Sequence, residues 1–386
     1  MKKTILFTMN NLNCGGAEKS LISLLQTIDY SKYEVDLFLF KHEGIFLNQI
    51  PKKVKLLEQP KEYRFFDMSF KKAIIESIKI GRIDILFARI AMSLIYKSTN
   101  STSVKEQKAW KYISKCIPKL IKKYHFSVGY LQRTPNYFCV DKTNADLKIG
   151  YVLNDYDELK MDKTIDNYYL SKLDFIVQDS EESNVIMKKN FPQFAHKTVV
   201  IKSIISAISV QQLAQQTITD LPEGFIIISV GRLTYQKGYD IAMDAINLIA
   251  KKGLNFKWII LGDGDEEKIL KQKVIDYNLQ EKVFFLGIKE NHYPYLKQAD
   301  IFLHTARFEG FGIVISEAKI LQKPIVLTNF NVAKTHINDG VNGFIAEMNA
   351  EAVAYKLELL MTNNNLQKQF SQNLSKDNFG TENENF

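Results

Sequence analysis

Cysteine and long apolar runs are scarce in this sequence. Its 386 residues include three cysteines, Cys14, Cys116 and Cys139, an odd number without C-x-x-C spacing or histidine pairing. The pattern excludes a disulfide framework and a structural zinc site, because both need paired or clustered ligands. A reducing cytosol is the expected compartment.

No apolar run is long enough to act as a membrane segment. The residues after Lys2 and Lys3 stay apolar only as far as Asn10, which is too short for the hydrophobic region of a signal peptide. Residues 83–96 include Asp84 and Arg89 and fall short of the ~20 residues that span a bilayer. We expect neither export nor a transmembrane helix.

The composition, 46% hydrophobic and 24% charged, is that of an ordinary globular protein and excludes a collagen-like or disordered chain. Because 386 residues exceed the roughly 250–300 that one core supports, two domains are predicted. The fold class is α/β, since short apolar strands alternate with helices. We expect two doubly wound Rossmann-like domains that face each other across a cleft.

The alternation of strands and helices sets the predicted boundaries. Residues 1–203 form the N-terminal domain, and residues 204–222, rich in Ser, Gln and Thr, form a linker. The pattern restarts in a C-terminal domain, residues 223–361, and residues 362–386 form a helix and tail.

The net charge of +8 is concentrated in residues 61–123, where fifteen Lys and Arg face five Asp and Glu. Isoleucines at helical spacing accompany the lysines of residues 70–123. Such a segment can lie on anionic lipid, so reversible membrane attachment is predicted. The alternative is that the isoleucines pack inside the domain and the lysines face water.

Three glycine-containing loops follow strands, where parallel sheets bind their ligands. Gly15 and Gly16 precede the first helix, whose N-terminus can receive an anion. A second loop runs from Gly231 to Gly238 and places Arg232 and Lys237 together, which suits a diphosphate. The alternative for Gly15 and Gly16 is a tight turn. The alternative for the loop from Gly231 to Gly238 is a basic surface loop.

The third loop contains Glu309, and Glu317 is expected about one and a half turns into the following helix. Gly310 and Gly312 expose backbone N–H groups where that helix starts, again a place for phosphate. Loop and helix together can direct both carboxylates at one ligand. The alternative for each glutamate alone is a solvated helix face.

In this order the segments resemble the retaining family-four glycosyltransferases of the GT-B fold, the group 1 glycosyltransferases of bacterial surface polysaccharide synthesis. The matching segments are Gly-Gly-Ala-Glu at 15–18, Gly-Arg-Leu at 231–233 with Lys237 and Gly238, Gly-Asp-Gly at 262–264, Phe-Leu-Gly at 285–287, Glu-Gly-Phe-Gly at 309–312 with Glu317, and Asp-Gly-Val-Asn-Gly at 339–343.

The resemblance implies transfer of a sugar from a nucleoside diphosphate, most often UDP in this family, to a saccharide acceptor. It implies that Glu309 binds the donor sugar, that Glu317 binds the ribose, and that Arg232 and Lys237 neutralise the leaving diphosphate. No cofactor and no metal are expected. The expected donor-binding residues are Gly15, Gly16, Gly231, Gly287, Ile288, Gly310, Phe311, Gly312, Ile313 and Glu317.

One departure from the family pattern lies in the N-terminal domain. Many relatives carry a histidine where Leu153 stands, followed here by Asn154 and Asp155, which we expect on the acceptor side. Asp155 and Asp157 have the D-x-D spacing of metal-dependent transferases but lack that class's other signals. His304 is expected to be a packed residue rather than a base.

The predicted acceptor is a lipid-linked polysaccharide precursor at the inner face of the cell membrane. Leu153 motivates an alternative, an inactive partner subunit that binds nucleotide sugar or saccharide. A nucleotide-sugar epimerase would need acid and base residues that the N-terminal domain does not offer. A nucleic-acid partner is not expected, because the basic segment has no recognition motif.

Overall fold

The computed structural model describes residues 2–13, 15–99 and 101–376. Contacts group them into two compact units, one formed chiefly by residues before Ser203 and one chiefly by residues from Ser203 onward. We call them the N-terminal unit and the C-terminal unit. Cys116 and Cys139 are buried free thiols, and Cys14 lies outside the described residues.

A parallel sheet is the centre of the N-terminal unit. Its strands are β1 (Lys3–Met9), β2 (Tyr33–Leu39), β3 (Val54–Leu56), β4 (Lys123–Gly129), β5 (Asn144–Tyr151), β6 (Phe175–Gln178) and β7 (Thr198–Val200). They are ordered β3-β2-β1-β4-β5-β6-β7, so the chain changes direction across the sheet between β1 and β4.

Helices cover this sheet. They are α1 (Gly16–Thr27), α2 (Arg64–Asp67), α3 (Phe70–Lys79), α4 (Ile83–Ser98), α5 (Thr102–Cys116), α6 (Thr134–Lys142), α7 (Lys163–Ser171) and α8 (Glu181–Asn190), with 3₁₀ turns at Leu47–Gln49 and Pro192–Lys197. Among the described helices, none combines the length and the apolar character needed to cross a membrane.

The C-terminal unit repeats the arrangement. Its strands are β8 (Ile226–Val230), β9 (Lys257–Leu261), β10 (Val283–Gly287), β11 (Ile301–His304), β12 (Ile325–Thr328) and β13 (Phe344–Ala346), in the order β10-β9-β8-β11-β12-β13. Its helices are α9 (Ala207–Leu213), α10 (Tyr239–Lys251), α11 (Glu267–Asp276), α12 (Tyr293–Gln298), α13 (Ile313–Ile320), α14 (Ala333–His336), α15 (Ala350–Thr362) and α16 (Asn364–Ser375), with a 3₁₀ turn at Tyr235–Lys237.

Both faces of the second sheet are buried, which explains its nearly continuous apolar strands. Successive side chains of a strand point to opposite faces. Accordingly, Trp258 and Ile260 of β9 lie in one apolar cluster with Phe370, while Ile259 lies in another with Phe302. Helices must therefore cover both faces, and the predicted pair of doubly wound parallel-sheet domains is confirmed.

The segment predicted as a linker, residues 204–222, contains helix α9. Its N-terminus is capped by the Ser206 hydroxyl, which accepts the Ser209 N–H at 3.3 Å. Val210 and Ala214 are buried against Tyr293 and Ile320. Ile208 and Leu213 are exposed on the outer face and hide the apolar period of so short a helix, which is why the sequence pattern missed it. The predicted terminal helix is α16, and the tail from 377 lies outside the described residues.

Candidate donor site

The sheet order of the C-terminal unit creates a topological switch point between β8 and β11. From β8 the chain proceeds outward to β9 and β10, then returns to place β11 on the other side of β8. The loops after β8 and β11 therefore leave the same edge of the sheet as neighbours, the usual position of a ligand site in such folds. These are the loops that carry Arg232, Lys237 and Glu309.

Backbone and side-chain bonds tie the two loops together. The Arg307 N–H donates to the Gln236 carbonyl at 2.7 Å, and the Gln236 amide donates to the Phe308 carbonyl at 3.0 Å. The Thr305 hydroxyl donates to the Gly238 carbonyl at 2.9 Å. Arg307 adds two bonds to Asp240, at 2.9 and 2.6 Å. The position of each loop is thus fixed by the other.

The Glu309 carboxylate lies at the centre of this arrangement, and the Glu309 side chain is 7% exposed. The Lys237 ammonium pairs with Oε1, and the His304 Nε2–H donates to the same oxygen at 2.8 Å. Burial raises the pKa of Glu309, but the charge of Lys237 and the bond from His304 outweigh it and hold the pKa at about 2. Glu309 is therefore ionised and accepts hydrogen bonds only.

His304 supports this carboxylate from β11. Burial lowers the pKa of its imidazole, more than the bond to Glu309 raises it, so the ring is a neutral donor. Its ring also stacks near Phe302, with centroids 5.9 Å apart. His304 is thus packed, as expected, and it also orients the glutamate, a role that the sequence did not indicate.

Two residues beyond β12 hold the backbone of the loop that carries Glu309. The sequence analysis did not identify either of them. Asn331 accepts the Glu309 N–H at 3.1 Å and donates to the Glu309 carbonyl at 2.9 Å. His336 donates through Nε2 to the Phe311 carbonyl. The available signal was their position shortly after a buried strand, where polar residues reach the same edge of the sheet.

Glu317 lies on α13 and is 1% exposed. Its carboxylate accepts bonds from His292 Nε2 at 2.7 Å and from the Tyr293 hydroxyl at 3.1 Å. His292 and Tyr293 lie at the start of α12 and were also missed from the sequence, because nothing local marks them as neighbours of α13.

The other expected donor-binding residues of this unit lie on loops beyond strands. Gly231 follows β8, Gly287 ends β10 with Ile288 beside it, residues 310–312 lie between β11 and α13, and Ile313 begins α13. Arg232 is exposed and makes no ion pair within the described residues. Gly312 precedes α13 with φ of +80°, a conformation that favours glycine.

The remaining predicted residues follow strands of the N-terminal sheet. Gly15 immediately precedes α1, Gly16 is the first residue of α1, and Asn154 and Asp155 follow β5. Leu153 is buried, and its N–H donates to the Gln132 side chain at 3.2 Å. Asp155 accepts the Asp157 N–H at 2.9 Å, so that aspartate stabilises a local turn. The described residues contain no His, Cys, Asp and Glu group arranged to hold a metal.

The architecture matches that of solved glycosyltransferases. HepE of Anabaena, in complex with UDP and glucose, aligns with a TM-score of 0.66 at 17% identity over 99% of this chain and 95% of that one. TarM of S. aureus, in a complex with UDP, aligns with a TM-score of 0.65 at 15% identity over 97% of this chain and 96% of TarM. The predicted GT-B fold is confirmed.

Residues 213–377 match the family model of glycosyl transferases group 1. The match lies within the C-terminal unit, and the resemblance to group 1 glycosyltransferases that the sequence indicated is confirmed at this level.

Curated relatives carry related names. An N-acetylgalactosaminyltransferase of Campylobacter jejuni, named for an acceptor on diphospho-undecaprenol, is 26% identical over 58% of this chain and 60% of its own length. The amylovoran biosynthesis glycosyltransferase AmsK of Erwinia amylovora is 34% identical over 33% of this chain and 34% of its own length. The chain spans less than two thirds of the length of each of these relatives.

Proposed function

We propose that this protein is a glycosyltransferase that moves a sugar from a nucleoside diphosphate sugar to a saccharide acceptor in polysaccharide biosynthesis. The observation that carries the proposal is the buried, ionised Glu309 between Lys237 and His304 at the switch point of the C-terminal sheet. An acceptor-only carboxylate suits sugar hydroxyls, and the neighbouring cations suit a diphosphate.

The two cations would serve the step in which the bond between sugar and diphosphate breaks. Negative charge then grows on the leaving oxygen, and preorganised cations stabilise it. Lys237 has three N–H donors, so the bond to Glu309 leaves others for phosphate oxygens. Since these cations replace a metal, we propose a metal-independent reaction with UDP as the first donor nucleotide to test.

Glu309 binds the donor sugar in this proposal and is not its nucleophile or base. A carboxylate whose pKa is about 2 takes up a proton poorly near neutral pH. No covalent nucleophile is assigned, in keeping with front-face attack and retention of the anomeric configuration.

Glu317 would bind the ribose by exchanging one of its present partners, His292 or Tyr293, for a ribose hydroxyl. Glu317→Gln should then weaken the binding of the free nucleotide, measured by calorimetry. Unchanged nucleotide affinity in this variant contradicts the ribose assignment.

A lipid-linked saccharide is the proposed acceptor, and two observations support it. The Campylobacter jejuni relative is named for an acceptor on diphospho-undecaprenol. In the N-terminal unit, α4 also presents Ile83, Phe87, Ile90 and Leu94 on one face, each 41–66% exposed. The opposite face of α4 is buried through Ile85, Ala88 and Met92.

Exposed apolar and basic side chains also lie on α3. Ile75 and Ile78 of α3 are exposed, as are Lys71, Lys72 and Lys79. On α5, by contrast, Ile113 and Trp110 are buried in the core, as is Ile117 just beyond it, so its lysines are the solvated face of a packed helix. We therefore place the proposed attachment to anionic lipid on α3 and α4.

Liposome co-sedimentation tests this attachment. The protein should pellet with anionic but not neutral vesicles, and high salt should release it, because each cation contributes about 1 kcal/mol that salt screens. Lys71, Lys72 and Lys79 changed together to Glu should abolish pelleting. The matched control changes Lys111, Lys115 and Lys119 to Glu and should keep most of it. Equal loss in both variants, or self-association through the stripe in light scattering, contradicts the proposal.

Incubation with radiolabelled nucleotide sugars tests the function itself. Hydrolysis or transfer with one donor supports the enzyme and excludes the inactive-subunit alternative. Binding without turnover across UDP-, GDP- and ADP-sugars, with lipid-linked saccharides supplied, contradicts the proposal.

A further inference from the structure

His336 is a buried histidine whose hydrogen bond reaches the loop of the proposed donor site. It ends the short helix α14, is buried, and donates through Nε2 to the Phe311 carbonyl. Phe311 and Gly312 are the two residues before α13, and both are half-buried.

The bond fixes the direction of one peptide group. In a planar trans peptide the C=O and the N–H point in opposite directions, so a carbonyl directed at His336 turns the Gly312 N–H away from it. The next carbonyl is also fixed, because the Gly312 oxygen accepts the Ile315 N–H at 2.9 Å. The Gly312 amide is thus held on both sides.

We propose that His336 is a positioning residue that keeps the Gly312 N–H directed at the diphosphate of the donor. The inference rests on the proposed function, since it needs a diphosphate in this site. It assigns to His336 a role in binding the leaving group through the backbone, without contact between the imidazole and the ligand.

The surroundings of the ring fit this role. Burial, more than any other cause, lowers the pKa of His336 to about 4, and the charge of Lys319 acts in the same direction. The ring is therefore neutral at physiological pH, and its bond to a carbonyl requires the tautomer that carries the proton on Nε2. The imidazole is a constant donor rather than a pH switch.

The alternative is that His336 only fills space beside Phe311, whose ring centroid is 5.3 Å away. Three substitutions separate the two roles. His336→Leu fills space without a donor. His336→Gln places an amide N–H near the position of Nε2, and His336→Asn has the same chemistry but is one methylene too short.

Calorimetry measures the affinity of each full-length variant for the diphosphate among UDP, GDP and ADP that binds wild type, and for its free nucleoside. We expect His336→Leu and His336→Asn to weaken diphosphate binding about tenfold or more, and His336→Gln to restore it to within about threefold. Nucleoside affinity should stay constant, because the nucleoside does not use the Gly312 N–H.

Each other outcome overturns the inference. Diphosphate affinity of His336→Asn equal to that of His336→Gln would show that length, and hence the bond, does not matter. An equal loss of nucleoside and diphosphate affinity would indicate a general structural effect. If His336→Leu does not fold, the diphosphate affinities of His336→Gln and His336→Asn are sufficient to test the inference. Wild type that binds none of the diphosphates contradicts the proposed function itself, and the inference falls with it.

Discussion

Lys237 and Arg232 are the two cations of the donor loop, and their surroundings differ. The Lys237 side chain is 16% exposed and pairs with buried Glu309, whereas Arg232 is exposed and has no ion pair within the described chain. We therefore expect the charge of Lys237 to contribute to stability and the charge of Arg232 not to.

Replacing each cation by Ala should therefore separate activity from stability. Both Arg232→Ala and Lys237→Ala should lower turnover about 10²-fold or more, because each removes charge from the leaving diphosphate. Only Lys237→Ala should also destabilise the protein, by about 3 kcal/mol, since it leaves Glu309 buried without its cation. Urea unfolding and initial rates measure the two effects. Turnover reduced only a few-fold would remove the residue from the site, and equal stability of the two variants would contradict the ion pair.

The depressed pKa of Glu309 predicts how stability depends on pH. The ordinary value is 4.5 and the folded value is about 2, so the ion pair contributes its stability above pH 4.5 and loses it as the pH falls toward 2. In Glu309→Gln this contribution is absent at every pH. The difference in unfolding free energy between wild type and this variant should shrink over that window. A difference that stays constant from about pH 6 to about pH 3 would show that Glu309 has an ordinary pKa.

At the scale of elements, the contact between the loops after β8 and β11 depends on a glycine. Gly238 precedes α10 with φ of +61°, and a Cβ there would lie 2.1 Å from the Thr305 carbonyl oxygen. Because that atom belongs to the backbone of the neighbouring loop, the two loops would have to separate. Their separation would also move Lys237 away from Glu309.

Gly238→Ala should accordingly lower both stability and turnover. Gly253→Ala is the matched control, since Gly253 has φ of +78° and no neighbour within 4 Å of its Cβ position. The control should lose only the roughly 1 kcal/mol of a left-handed conformation and keep full turnover. Chemical denaturation and initial rates compare the two. A loss in Gly238→Ala no larger than in Gly253→Ala would contradict the steric contact.

For the whole molecule, the proposed chemistry predicts independence from metals. The proposed cations and backbone N–H groups can neutralise a diphosphate without a divalent ion. Turnover should therefore persist in excess EDTA. It is measured with the nucleotide sugar that the incubation with radiolabelled donors identifies. Complete inhibition that Mg²⁺ or Mn²⁺ reverses would contradict this and make Asp155 and Asp157 the residues to test.

The sequence by itself determined the architecture and located the two cations and the carboxylate of the main loops. Continuously apolar strands such as β8 and β12 can be buried only between two layers of helices, so the doubly wound sheets follow from local pattern. Arg232, Lys237 and Glu309 were found because ligands bind beyond strand ends, and the structure places all three on the two loops at the switch point.

Only the tertiary structure decided which distant residues support those loops and which helix faces stay uncovered. Asn331 and His336 reach the Glu309 loop because β12 lies beside β11, a neighbour relation that local pattern does not encode. Likewise, α4 and α5 both have a helical apolar period, yet α5 buries Trp110 and Ile113 whereas α4 exposes a stripe. Periodicity shows which side chains share a face, whereas packing determines whether anything covers it.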